Sequence, residues 1–171
     1  MIDLRQHIRD VPDFPQPGIV FKDITPLLGN RSAFDAAIEQ LADPWRNERI
    51  SHVAGIESRG FIFGAAMARF LSCGFVPVRK PGKLPWKIHR REYQLEYGSD
   101  ALEVHQDAVG TGDRVLIVDD VLATGGTGTA TAELFSQFDA EVIGLSVLIE
   151  LEFLHGREKL GSTRVHSVLK Y

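Results

Sequence analysis

The chain is 171 residues long, a length suited to one domain with a sizeable core. Its net charge of −4 argues against an electrostatic nucleic-acid binder, and its single cysteine, Cys73, excludes an intramolecular disulfide and a multi-cysteine metal site. No signal-peptide pattern opens the sequence and no apolar run is long enough for a bilayer, so the expectation is a cytoplasmic protein with no membrane and no nucleic-acid partner.

Residues 3–10 are polar, with Leu4 and Ile8 spaced for a short amphipathic helix at best. The prolines of V-P-D-F-P-Q-P-G, 11–18, forbid a helix and favour extended structure. In the following I-V-F-K-D-I-T-P, Ile19 and Phe21 share one side of an extended segment and Val20 and Lys22 the other. Composition alone favours an edge strand over a binding wall here. Ser32-x-x-Asp35 resembles a capping box opening a helix whose apolar face is Phe34, Ala37, Ile38 and Leu41. His52–Ile56 reads as a short buried strand, Glu57-Ser-Arg-Gly-Phe61 as a polar turn, and Ile62–Leu71 as a buried helix. Cys73, in an apolar setting, reads as a buried, inert thiol.

Phe75–Val78 is the next strand. It runs into R-K-P-G-K-L-P, 79–85, where Arg79, Lys80 and Lys83 make a local anion trap in an acidic protein. Residues 87–105 alternate around Gly98-Ser99-Asp100, a hairpin signal, and such a hairpin can close over the sheet as a lid. His89 and His105 show no partnered metal spacing and read as surface residues.

The richest stretch is V-L-I-V-D-D-V-L-A-T-G-G-T, 115–127. Four apolar residues fit a strand buried on both faces. The carboxylates Asp119 and Asp120 follow, then a glycine turn and a helix with Ala130, Leu134, Phe135 and Phe138 at helical spacing. A glycine-rich turn beyond a parallel strand suits an anion on a helix N-terminus. Two acids beside it point to a sugar phosphate, whose hydroxyls donate to carboxylates while the phosphate sits on the turn. Magnesium can bridge such oxygens. No Walker A or dinucleotide fingerprint is present. Arg59, on the corresponding turn of the preceding strand–helix unit, is a phosphate-clamp candidate. Glu141–Ile149 and Val165–Leu169 complete the strands.

The 115–127 string resembles the signature of type I phosphoribosyltransferases, which act on 5-phosphoribosyl-1-diphosphate. D-F-P-x-P-G-I-V-F-K-D-I-T-P at 13–26, E-S-R-G-F at 57–61, R-K-P-G-K-L-P at 79–85 and L-E-Y-G at 95–98 are similar to the adenine-using branch of that family. The resemblance implies an α/β fold: a five-stranded parallel core sheet flanked by helices, with a small hood, mainly 1–35, and a β-hairpin lid, about 80–105, in a single phosphoribosyltransferase domain. It implies transfer of phosphoribosyl to adenine, giving AMP and diphosphate in purine salvage, by a cytoplasmic homodimer with Mg2+ carried by the substrate near Asp119 and Asp120.

Residue by residue, the resemblance gives the phosphoribosyl group to Asp119, Asp120, Ala123, Thr124, Gly125, Gly126 and Thr127. Diphosphate goes to Glu57, Ser58, Arg59, Arg79, Lys80 and Lys83, with a cis peptide at Glu57–Ser58. Adenine goes to Val20, Phe21, Lys22 and Leu154. Glu96 is implied as general acid or base, with Arg59 and Lys83 stabilising the leaving group and Tyr97 on the lid. The W-K-I-H-R-R-E-Y stretch from Trp86 departs from the family pattern. The alternatives are a phosphoribosyltransferase for another purine or pyrimidine, and a non-enzymatic sensor of phosphoribosyl diphosphate.

Overall fold

The computed structural model describes residues 2–94 and 99–171, which fall into two compact units divided between Gln40 and Leu41. Among the described residues no helix is long and apolar enough to cross a membrane.

In the first unit Asp3 caps a 3-10 turn, Leu4–His7, by accepting from the Arg5 N–H at 3.1 Å. The chain then turns extended. β1 (Arg9–Pro12) pairs antiparallel with β2 (Val20–Asp23), Val11 opposite Phe21. The proline-rich connection has a cis Phe14–Pro15 bond, and Phe14 meets Phe21 edge-on at 5.2 Å. Residues 9–10 therefore belong to a strand, not to the short helix expected over 3–10. Asp23 accepts from the Thr25 N–H and hydroxyl and opens α1 (Thr25–Leu28). The cap of α2 (Arg31–Ala42) is Asn30, whose Oδ1 accepts from the Ala33 N–H at 3.0 Å. The capping box expected at Ser32 and Asp35 is thus displaced: Asn30 reaches the free N–H first, and Asp35 lies beside Arg31 instead.

The second unit is built on a parallel sheet of β3 (His52–Ile56), β4 (Gly74–Val78), β7 (Arg114–Leu122), β8 (Glu141–Glu150) and β9 (Val165–Lys170), in the order β4-β3-β7-β8-β9. Strand alternation sends side chains to two faces. Ala54, Ile56, Val115, Ile117, Leu145 and Val147 pack with Ala130, Leu134 and Phe135 of α4 (Gly126–Phe135). On the other face Gly55 gives α3 (Gly60–Leu71) room to approach: a Cβ on Gly64 would lie 3.1 Å from the Gly55 Cα. The expected five-stranded parallel sheet flanked by helices is what the chain forms.

β5 (Ile88–Gln94) and β6 (Ser99–His105) form a separate antiparallel pair. Ser99 and Asp100, expected in the turn, lie in the ladder instead, opposite Gln94 and Tyr93. The base of the hairpin is anchored in the body of the second unit. Leu102 and Val104 are fully buried in the α4-side core, and Arg79 and Glu103 exchange backbone hydrogen bonds at 2.9 and 2.8 Å. Two of the cations after Trp86 are engaged too: Arg90 with Glu92 and Glu103, Arg91 with Glu133 of α4. Trp86 itself is exposed. His89 is half-buried, edge-on to Phe138 at 4.9 Å, and His105 has its Nε2 sealed from solvent, so neither is the plain surface residue expected. Cys73 is likewise only half-buried; desolvation raises its thiol pKa, which keeps it protonated.

Candidate active site

β7 runs on past the acids to Leu122, because its ladder with β8 continues as far as Leu122 opposite Glu150. The chain then turns through Ala123–Gly125 into α4. Gly125 has φ +80°, and no side chain caps the helix N-terminus. The first N–H groups of a helix have no intrahelical acceptor, and here they border a cavity of about 70 Å³ lined by Asp119, Ala123, Thr124, Gly125, Gly126 and Thr127. The turn is braced from behind by α5 (Gly156–Lys159). A Cβ on Gly156 would lie 2.0 Å from the Ala123 carbonyl oxygen, and one on Gly125 would lie 2.2 Å from the Gly156 oxygen. Nothing local in the sequence around Gly156 marks a backbone contact made across the fold.

The two acids part company. Asp119 lines the cavity and accepts from the Asp120 N–H at 2.9 Å. Asp120 is buried, with its Oδ2 2.8 Å from Arg59 Nε. Burial, then the neighbouring Asp120 charge, push the Asp119 carboxyl well above the ordinary range. Burial also raises Asp120, with Arg59 pulling the other way. Gly60 makes this closeness possible, since a Cβ there would lie 2.9 Å from Asp119 Oδ1.

Beyond β3 the Glu57–Ser58 peptide is cis, and Glu57 gathers the cations of the 79–83 loop. Its carboxylate accepts from Lys83 Nζ at 2.5 Å, the Lys80 N–H at 2.9 Å and Arg79 Nε at 3.3 Å. Burial alone would raise its pKa; Lys83, Lys80 and Arg79 outweigh that and bring it to about 2. The Lys80 side chain turns away to Asp100 and Tyr93. The three cations of the anion trap are thus shared between two carboxylates, Glu57 and Asp100.

A depressed carboxylate stabilises the fold above its unfolded value, near 4.5, and loses that contribution as pH falls through about 2. The shift corresponds to at most about 3 kcal/mol, less the solvent screening of half-exposed Lys83. Glu57→Gln is therefore expected to lower Tm at pH 7, with the difference from the native chain shrinking as pH drops from 5 towards 2. A difference independent of pH would remove the ion pairs as its cause.

Leu154 ends the 3-10 turn Glu152–Leu154 after β8 and is half-buried. Val20, Phe21 and Lys22 lie on β2 of the first unit, Val20 exposed and Lys22 Nζ 2.7 Å from Asp10. Glu96 and Tyr97 lie outside the described residues. The structure thus brings Asp119, Asp120, Arg59 and the 123–127 turn to one end of the sheet, and Glu57 with Arg79, Lys80 and Lys83 to one loop cluster.

Residues 28–166, which hold the acidic pair and the strand–turn–helix around it, match the family model described as phosphoribosyl transferase domain, so the chain is a phosphoribosyltransferase. A relative from Methylococcus capsulatus, named adenine phosphoribosyltransferase, is 57% identical over the full length of both chains. The solved adenine phosphoribosyltransferase of Rhodothermus marinus superposes with a TM-score of 0.94 at 54% identity, over 98% of this chain and 96% of that one. The Saccharomyces cerevisiae enzyme, solved with an imino-altritol bisphosphate and adenine, gives 0.92 at 40% identity, over 97% and 96%. The chain belongs to the adenine phosphoribosyltransferases.

Proposed function

We infer that the chain transfers 5-phosphoribosyl from 5-phosphoribosyl-1-diphosphate to adenine, releasing AMP and diphosphate. The observation that carries the reading is the uncapped start of α4 bordering a cavity that Asp119 also lines. Helix N–H groups meet the 5′-phosphate and the carboxylate accepts from ribose hydroxyls, so one substrate satisfies both.

Breaking the C1–diphosphate bond develops positive charge on the ribose and negative charge on the leaving group. In this reading Arg59, Arg79, Lys80 and Lys83 take the leaving-group charge, with Glu57 giving up its cations as diphosphate arrives. Ser58 borders the same loop. Adenine attacks through N9, and Glu96 exchanges the purine proton, an effect of order 10²–10⁴-fold; Tyr97 shields the reacting bond. Val20, Phe21 and Lys22 select the base, chiefly through the main chain, and Leu154 packs on it. The absence of a lysine from Ile149–Phe153 favours a 6-aminopurine over a 6-oxopurine.

Among the described residues no group of three or more His, Cys, Asp or Glu stands ready to hold a metal. The donor set fits magnesium only where substrate oxygens complete the shell beside Asp119 and Asp120. Bound there, the ion supplies charge neutralisation of the diphosphate. The reading includes a homodimer in the cytoplasm, with the 1–35 segment as hood and the 80–105 hairpin as lid; sedimentation velocity tests the dimer.

The test of the activity is turnover with each nucleobase, phosphoribosyl diphosphate and magnesium. AMP and diphosphate should form with adenine. Release with hypoxanthine but not adenine overturns the base assignment, and release with no base overturns the transferase reading.

A further inference from the structure

The hairpin carries two polar side chains, Tyr93 and Asp100, that none of the roles above uses. The Tyr93 hydroxyl lies 3.2 Å from Lys80 Nζ, 3.3 Å from Asp100 Oδ2 and 3.5 Å from Thr127 Oγ1. Lys80 and Asp100 are themselves an ion pair. Tyr93 and Asp100 face each other on one rung of the β5–β6 ladder, so the hairpin supplies both partners of the ammonium.

The tyrosine ring is fixed by packing. It lies against the core cluster, and a Cβ on Gly126 would sit 3.6 Å from its Cδ2, placing the ring over the start of α4. Its hydroxyl therefore has a place set by the core. Lys80 does not: its side chain has several free torsions, and ordering a lysine costs about 1.5–2 kcal/mol of rotamer freedom. Groups that order it before substrate arrives remove that cost from binding. The same hydroxyl reaches Thr127 in the phosphate turn and so joins the two ends of the site.

We propose that Tyr93, with Asp100, is a positioning residue for Lys80, holding its ammonium one hydroxyl away from the phosphate turn so that the diphosphate meets a preset cation. This rests on the transferase reading and on Lys80 as a diphosphate ligand.

Tyr93→Phe keeps the ring and removes the hydroxyl. It is expected to raise KM for phosphoribosyl diphosphate about fivefold, the loss of one modest hydrogen bond, with KM for adenine, kcat and Tm unchanged. Calorimetric affinity for inorganic diphosphate with magnesium should fall by the same factor, a measurement that needs no turnover. In a Lys80→Met background the substitution should have no further effect, and Asp100→Asn should act in the same direction as Tyr93→Phe. Unchanged or tighter diphosphate binding in either variant overturns the proposal. So does a Tyr93→Phe effect that persists in full without Lys80, or one that lowers Tm and weakens adenine as well. A native chain that binds diphosphate yet makes no AMP would sink the transferase reading and leave the calorimetric arm to decide the role of Tyr93.

Discussion

Replacing Gly156 by alanine is expected to lower kcat/KM for phosphoribosyl diphosphate by about a hundredfold. The residue touches no substrate in the proposed mechanism. Its added Cβ would stand 2.0 Å from the Ala123 carbonyl oxygen and 2.8 Å from the Gly125 N–H nitrogen, closer than real Cβ atoms come to backbone. Both neighbours are main chain, so no side chain can swing away. The turn must move by roughly an ångström, and a displacement of that size at a positioned reacting group costs about 10²-fold. The helix start would move with it, because Gly125 is its cap residue. The effect should fall on the sugar phosphate and leave adenine affinity nearly untouched. Initial rates over a range of both substrates, beside a melting curve, separate this from unfolding. A kcat/KM within threefold of native would mean that the turn tolerates the shift and that the Gly125–Gly156 contact does not set the phosphate cradle. Gly125→Ala should behave in the same way, since its Cβ meets the Gly156 oxygen at 2.2 Å and its φ of +80° disfavours a side chain.

Local signals predicted the sheet well and the contacts across it poorly. Val115–Val118 could be read as a doubly buried strand because burial on both faces demands an unbroken apolar run, and all four residues are fully buried. The same logic found β3, β4, β8 and β9 within a residue or so. It missed the cap of α2 because Asn30 and Ser32 are both good caps, and only the backbone path decides between them. The hairpin was legible from alternation, but not the burial of Leu102 and Val104, which depends on α4 packing over them. At the site, residue types announced an anion and a sugar. That Glu57 pairs with Arg79 and Lys83, that Asp120 lies beside Arg59, and that Tyr93 bridges Lys80 and Thr127 are facts of tertiary proximity. No period or motif encodes them, since the partners lie on different elements.

The pairing of Asp120 with Arg59 sets the second large expectation. Asp120→Asn should lower kcat/KM for phosphoribosyl diphosphate at least tenfold, about 1.4 kcal/mol. The amide keeps the volume of the carboxylate but not its charge, so Arg59 loses the anion that stands 2.8 Å from its Nε and fixes its place. Asp119→Asn should cost a comparable factor by a different route. Asp119 lines the cavity, and an amide nitrogen there presents a donor where ribose hydroxyls need an acceptor. Stability should move the other way. Burial raises both carboxyl pKa values, so the fold favours the protonated pair. A raised carboxyl contributes its stability below the unfolded pKa and loses it as pH rises through the folded one. Above the unfolded value, near 3.8, the buried pair therefore opposes folding, and a neutral isostere at Asp119 relieves that cost. Asp119→Asn is thus expected to raise Tm at pH 7.5 while lowering turnover, with the gain vanishing towards pH 4. Unchanged kcat/KM in Asp120→Asn would remove that residue from the site. A Tm for Asp119→Asn that falls at pH 7.5 would mean that the ionisable carboxyl stabilises the fold rather than straining it.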